Sequence, residues 1–221
     1  VFSFFEKNAG KENFQVIFTS HSPTLVSRIG IDRIVLLYER KYRIECLSLS
    51  QSNINEDDRD NLERYLDVTK SQMLFAKGIL FVEGISEALL LQIFAEYLDR
   101  PIDKYAVTIV NVDGVSFKPF ADLLCHANNT QQTTIRAAII TDDDRCTDKN
   151  DPKNYIAKDI DYDTDDMETI VAKLKSTTAS ERFQTISTLC QNAHVNVYGA
   201  RKTLEYELAA DPANIPYLLD A

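Results

Sequence analysis

Long apolar runs are missing from this chain. None approaches the roughly 20 residues that a bilayer-spanning helix needs, and the N-terminus lacks the basic-then-apolar pattern of a signal peptide. A membrane protein is therefore not expected. Cysteine pairs are missing too: Cys46, Cys125, Cys146 and Cys190 lie far apart, with no CxxC among them. That argues against a zinc ribbon or a disulfide framework and suits a reducing, cytoplasmic setting. No GxxxxGK[ST] phosphate loop occurs, so these residues cannot complete a P-loop nucleotide site. The chain starts at Val1 without Met, inside what reads as an amphipathic segment, and a piece of a longer protein is expected. Positive charge is also in short supply, with 24 Lys and Arg against 34 Asp and Glu and a formal charge of −10. A protein that binds nucleic acid through its whole surface is usually basic. An acidic one can act on DNA where metal ions mask its carboxylates or a basic surface lies elsewhere, so charge leaves nucleic acid open.

What is present suits a soluble globular protein: 44% hydrophobic and 26% charged residues over 221 positions, enough to bury a core as one large domain or two small ones. "FQVIFTSHSPTLV" (14–26) reads as a strand running into a turn at Ser22–Pro23. "DRIVLLYERKYRIECLSL" (32–49) reads as a hairpin turning at Glu39–Lys41, and the polar 50–60 as a linker with a helix start near its end. Leu62, Leu66, Met73 and Leu74 give approximate helical spacing from Asn61 to Phe75. After residue 77 strands and helices alternate. "GILFVEG", "YAVTIVNVDG", "RAAIITD" and "HVNVYG" read as strands; "SEALLLQIFAEYL", "FKPFADLLCHA" and "KTLEYELAA" read as helices. That pattern predicts an α/β fold, a parallel sheet with helices on both faces. An irregular insertion rich in Asp, Asn and Lys interrupts it near 145–178.

In such a sheet, sites form at the carboxyl ends of strands. The rule puts Glu83, after the first strand, beside Asp142 and Asp144, after the third. Glu87 follows Glu83 by one helical turn, and Lys202 and Glu205 follow the fourth strand. Four carboxylates at one rim, without Cys or His, suit Mg²⁺ or Mn²⁺. Such ions activate water and neutralise a phosphate under in-line attack. Competing readings are an acidic loop at 142–144 and a helix cap at Glu87. Receiver domains and haloacid-dehalogenase phosphatases fit poorly, because their acidic pair follows the first strand. Asp143 points the other way if the loop is extended and takes a structural role; Asp113 reads as a turn residue or an additional ligand. Asp161, Asp163, Asp165, Asp166 and Glu168 read as a solvated loop that could add a ligand.

"FVEGISE" followed by "IITDDD", with "IVNVDGVSFKPF" and the late "KTLEYELA", resembles the Toprim domain of topoisomerases and primases. "QVIFTSHSPTLV" resembles the end of an ABC-type ATPase domain, where His21 matches the switch histidine. ATPase followed by Toprim is the arrangement of the OLD (overcoming lysogenization defect) family of nucleases, which includes anti-phage defence enzymes. The resemblance implies residues 1–50 as an ATPase remnant, 51–77 as linker and helix, and 78–221 as a Toprim nuclease domain. It implies a DNA endonuclease that uses two metal ions, with ATP used only by the full-length protein, acting as a homodimer or larger assembly. Glu83, Asp142 and Asp144 match the Toprim acids, Glu87 the further acid on the first helix, and Lys202 the lysine near the scissile phosphate; Glu205 is a possible addition. No tyrosine can be assigned as a topoisomerase nucleophile. A non-catalytic Toprim-like DNA-binding module and, further off, a metal-dependent phosphatase are the alternatives.

Overall fold

The computed structural model describes residues 2–8, 15–40, 42–51, 54–125, 135–145, 160–161, 163–191 and 194–219. The strand expected to run from Phe14 into the turn at Ser22–Pro23 is absent from its described part. Two short helices, α1 (Phe2–Asn8) and α2 (Pro23–Val26), flank residues 15–22, which carry no regular structure. A strand needs a neighbour to take up its backbone groups; among the described residues none lies alongside, and Ile17 is left 83% exposed. "SHSPTLV" is instead a helix start: the Ser22 side chain accepts the Leu25 N–H, and Pro23 supplies the first helical residue.

The hairpin forms where the sequence places it, β1 (Val35–Arg40) pairing antiparallel with β2 (Arg43–Ser48). Helix α3 (Glu56–Tyr65) starts within the second half of the 50–60 linker, ahead of the apolar spacing from Asn61, because Asn55 caps it through the Asp58 N–H and three acids fill its first turn. It also ends early, and Lys70–Phe75 is a 3₁₀ turn. There the Asp67 carboxylate accepts the Lys70 N–H at 2.7 Å, a local bond that competes with helix continuation.

Beyond this come β3 (Gly78–Val82), α4 (Ile85–Tyr97), β4 (Val107–Asn111), α5 (Lys118–Cys125), β5 (Arg136–Asp142), α6 (Met167–Lys175), α7 (Glu181–Cys190), β6 (Val195–Ala200), α8 (Leu204–Ala209) and α9 (Ile215–Leu219). The strands form one parallel sheet in the order β4-β3-β5-β6, the α/β class expected. Helix α6 lies inside the stretch the sequence marks as an irregular insertion, and α7 follows it; residues 146–159 of that insertion lie outside the described residues. No helix among the described residues is long and apolar enough to cross a membrane.

The chain steps from β3 outward to β4, then back past β3 to β5 and β6. Right-handed crossovers put α4 on one face and α5 and α7 on the other; α4 contacts β3 and β4, while α5 packs with α3 and α7. Phe120 of α5 and Phe81 of β3, both fully buried, set their rings 5.5 Å apart. The same apolar cluster takes in Ile79, Val110 and Ile139 of the sheet and Ile31, Leu47 and Leu62 of the preceding segment. Glycine at 199 matters for one neighbour: a Cβ there would overlap the Phe183 ring, so its absence lets α7 lie against β6.

Candidate active site

β3 and β5 are neighbours whose connections leave toward opposite faces, and the crevice beyond their carboxyl ends is the switch point of the sheet. Glu83 immediately follows β3, and Asp142 ends β5. Glu83 Oε1 accepts the Asp142 backbone N–H at 2.9 Å and a hydrogen bond from the Thr141 hydroxyl. The strand pairing therefore fixes the glutamate's direction. Asp144 adopts the left-handed conformation, φ +48°, which a short Asp side chain tolerates. The run of three aspartates thereby turns out of the sheet after Asp142.

Asp143 goes the other way. It is 1% exposed, accepts the Ser180 N–H at 2.9 Å and the Ser180 hydroxyl at 3.2 Å, and takes Arg145 Nε at 2.9 Å. Ser180 in turn caps α7 by accepting the Phe183 N–H. The middle aspartate thus ties the end of β5 to the start of α7, and α7 brings Arg182 over the rim. Arg182 Nη1 donates to Glu83 Oε1 at 3.2 Å and to Thr141 Oγ1 at 3.3 Å; Nη2 donates to Asp144 Oδ2 at 3.1 Å and to the Asp142 carbonyl.

Burial, then the charges of Glu83, Asp144, Glu87 and Glu205, push the Asp142 carboxyl up to about 7. Burial also raises Asp144, against the pull of Arg182. Electrostatically, the five expected acids therefore act at one place. Glu87 has a second engagement, since its Oε2 accepts the Gly84 N–H at 3.1 Å and closes the start of α4. Lys202 stands on the same rim, just after β6, with its ammonium 5.9 Å from the centre of the Tyr206 ring. Asp113, also left-handed at φ +58°, pairs with the buried Lys70 at 3.1 Å, and the next residue's N–H donates to the Glu83 carbonyl at 2.9 Å. It braces the loop beside Glu83. His21 is away from all of these: its ring lies 5.7 Å from Phe75, in a cleft with Ala106 and Val107 at the opposite end of the sheet. In the insertion, Asp165 pairs with Lys173 at 2.6 Å and Asp166 accepts the Thr169 N–H at 2.8 Å in the first turn of α6, so local partners occupy both.

Sequence reasoning missed Arg182 and Thr141. Phe183, Ile186 and Cys190, following Ser180, carry the apolar spacing of a capped helix; that would have found α7 but not what its arginine touches. Donor chemistry fits a hard divalent cation: the burial and neighbouring negative charge that raise Asp142 and Asp144 are relieved by one. Their arrangement, however, is that of an arginine-neutralised cluster, and among the described residues no three His, Cys, Asp or Glu side chains are disposed to hold an ion.

The Asp142 shift has a signed consequence for the metal-free protein. Its folded pKa lies above the ordinary 3.8, so the folded state holds a proton that the unfolded state releases. This group therefore lowers stability as pH rises from about 4 to about 7. Urea midpoints of the wild type and Asp142→Asn should nearly coincide at pH 4 and separate by pH 7 to 8, with the variant the more stable. A constant separation across that range contradicts the assignment.

Residues 74–144 match the sequence model described as "Overcoming lysogenization defect protein-like, TOPRIM domain". Over 143 residues the chain is 26% identical to Endonuclease GajA of Bacillus cereus (strain HuB5-5), which covers 65% of this chain and 18% of that protein. Among solved structures, the C-terminal region of the Burkholderia pseudomallei OLD protein is 27% identical, covering 61% of this chain and 58% of that one, with a TM-score of 0.36. That of Xanthomonas campestris pv. campestris, phased with platinum, is 25% identical over 62% and 55% of the two chains, with a TM-score of 0.34.

Proposed function

Starting from an OLD-like Toprim domain over residues 74–144, we propose that this chain hydrolyses DNA phosphodiesters as a divalent-metal-dependent endonuclease. The observation that carries the reading is the convergence of Glu83, Asp142 and Asp144 at the sheet's switch point, with Asp142 pushed up to about 7 by burial and then by its acidic neighbours. An endonuclease among the relatives supports the nuclease class. With Arg182 withdrawn from Glu83 and Asp144, Glu83, Glu87, Asp142 and Asp144 would hold Mg²⁺ or Mn²⁺, two ions in all, with Glu205 as an additional ligand. Bound there, the metal supplies an activated water and neutralises the attacked phosphate. The Thr141 hydroxyl and the Asp142 N–H hold Glu83 in place. Lys202, on the same rim, stabilises the negative charge that grows on the phosphate. Residues 1–50 are assigned to the end of an ABC-type ATPase domain. ATP use, dimerisation and a role in anti-phage defence belong to the longer protein.

The test is supercoiled plasmid incubated with this chain and Mg²⁺ or Mn²⁺, without ATP. Nicked or linear DNA is expected with metal and none with EDTA. Plasmid left supercoiled at every metal and protein concentration overturns the nuclease reading. A gel shift without cutting would favour the binding-module alternative, which the Arg182-neutralised cluster suits, since such a module needs no metal.

A further inference from the structure

Arg182 is the second residue of α7, and the first turn of a helix is an unfavourable place for a cation. The helix therefore does not account for it, whereas the carboxylates in front of it do. Its planar fork reaches both Glu83 and Asp144, at 3.2 and 3.1 Å, and ties in Thr141 and the Asp142 carbonyl between them. The placement is secured from behind. Asp143 holds Ser180 at the start of α7, and the bare backbone at Gly199 seats Phe183 on β6. Residues on both sides of Arg182 are thus fixed to the sheet, and the guanidinium is delivered to the rim.

We propose that Arg182 is the resident counter-cation of the acid cluster, a positioning residue that holds Glu83 and Asp144 and competes with a divalent cation for them. The inference rests on the metal-site reading of the cluster. Glu83 Oε1 is the oxygen that Arg182 takes. A guanidinium at hydrogen-bond distance from that oxygen and a doubly charged ion on it repel strongly at such range. One must withdraw for the other to bind, and by linkage each weakens the other. Arg182 would then keep the carboxylates ordered and neutralised until metal arrives, at the expense of metal affinity.

The experiment is Mn²⁺ titration, followed by electron paramagnetic resonance, of the wild type, Arg182→Gln, Arg182→Lys and Glu83→Gln, with circular dichroism to follow the fold. Arg182→Gln should bind Mn²⁺ about tenfold more tightly than the wild type, the scale of one charge-assisted hydrogen bond removed from the competitor. Arg182→Lys should fall between them, since a point charge cannot bridge two carboxylates as the fork does. Methylguanidinium added to Arg182→Gln should weaken Mn²⁺ binding again, which a merely structural role would not produce. Equal or weaker Mn²⁺ binding by a folded Arg182→Gln overturns the proposal. If that variant unfolds, Arg182→Lys binding no tighter than wild type does so. Glu83→Gln binding Mn²⁺ as well as the wild type would instead overturn the metal-site reading, and this inference with it, so the two failures are distinguishable.

Discussion

Glu83→Gln and Asp142→Asn should each reduce plasmid cleavage to background while the protein stays folded and, without metal, becomes no less stable. The loss of activity follows from the proposed role: each variant removes one anionic oxygen from a cluster whose remaining acids would have to hold the cation alone. Stability is kept because the cluster is self-repelling. Asp142 is raised by burial and by four neighbouring carboxylates, so neutralising it removes a penalty. Glu83 differs in degree, since it accepts the Asp142 N–H, the Thr141 hydroxyl and Arg182; Gln retains a carbonyl oxygen for those bonds, and the charge lost toward the part-exposed Arg182 is offset by the repulsion relieved at Asp142 and Asp144. Lys202→Ala should cut DNA about 10²–10³-fold more slowly with Mn²⁺ binding kept, by analogy with loss of one preorganised donor. Plasmid cleavage at wild-type rate by either acid variant would move the active site elsewhere; a wild-type rate for Lys202→Ala would remove only the lysine.

Asp143→Ala should do the opposite to the fold. Although it sits between two rim acids, it is buried and satisfies the Ser180 N–H, the Ser180 hydroxyl and Arg145. Ser180 is itself 5% exposed, so truncating Asp143 leaves its N–H without that acceptor and away from water. A buried group so abandoned costs about 1–3 kcal/mol, and with the Arg145 contact also lost a total near 3 kcal/mol is expected. Asp143→Asn keeps one acceptor oxygen and should lose less. Urea denaturation of metal-free protein at pH 7 measures both. The diagnostic result is the sign: Asp143→Ala below the wild type, Asp142→Asn above it. Equal midpoints for the two would mean that Asp143 does not hold α7.

The strands of the sheet were legible because each is an apolar run of the right length with a glycine or acids at its end. The meeting of Glu83, Asp142 and Asp144 at one rim was legible because they stand at the carboxyl ends of parallel strands, and the opposite direction of Asp143 because side chains alternate along extended backbone. The start of α3 near the end of the 50–60 linker was legible, and Asn55 with the three acids after it fixes the exact residue. "QVIFTS" shows the opposite limit: strand composition does not make a strand where no described neighbour pairs with it.

The sequence by itself determined the alternation of strands and helices, the parallel class of the sheet and the gathering of acids at one rim. All of these follow from local periodicity and from one general rule about sheets. Only the tertiary structure decided that β3 lies between β4 and β5, and that Arg182, 99 residues beyond Glu83, closes on it. Those outcomes depend on where α7 lands, which is set by Asp143 holding Ser180 and by Phe183 lying on Gly199. Such contacts join residues far apart in the chain, and no pattern of neighbouring residues encodes which distant side chain will meet them.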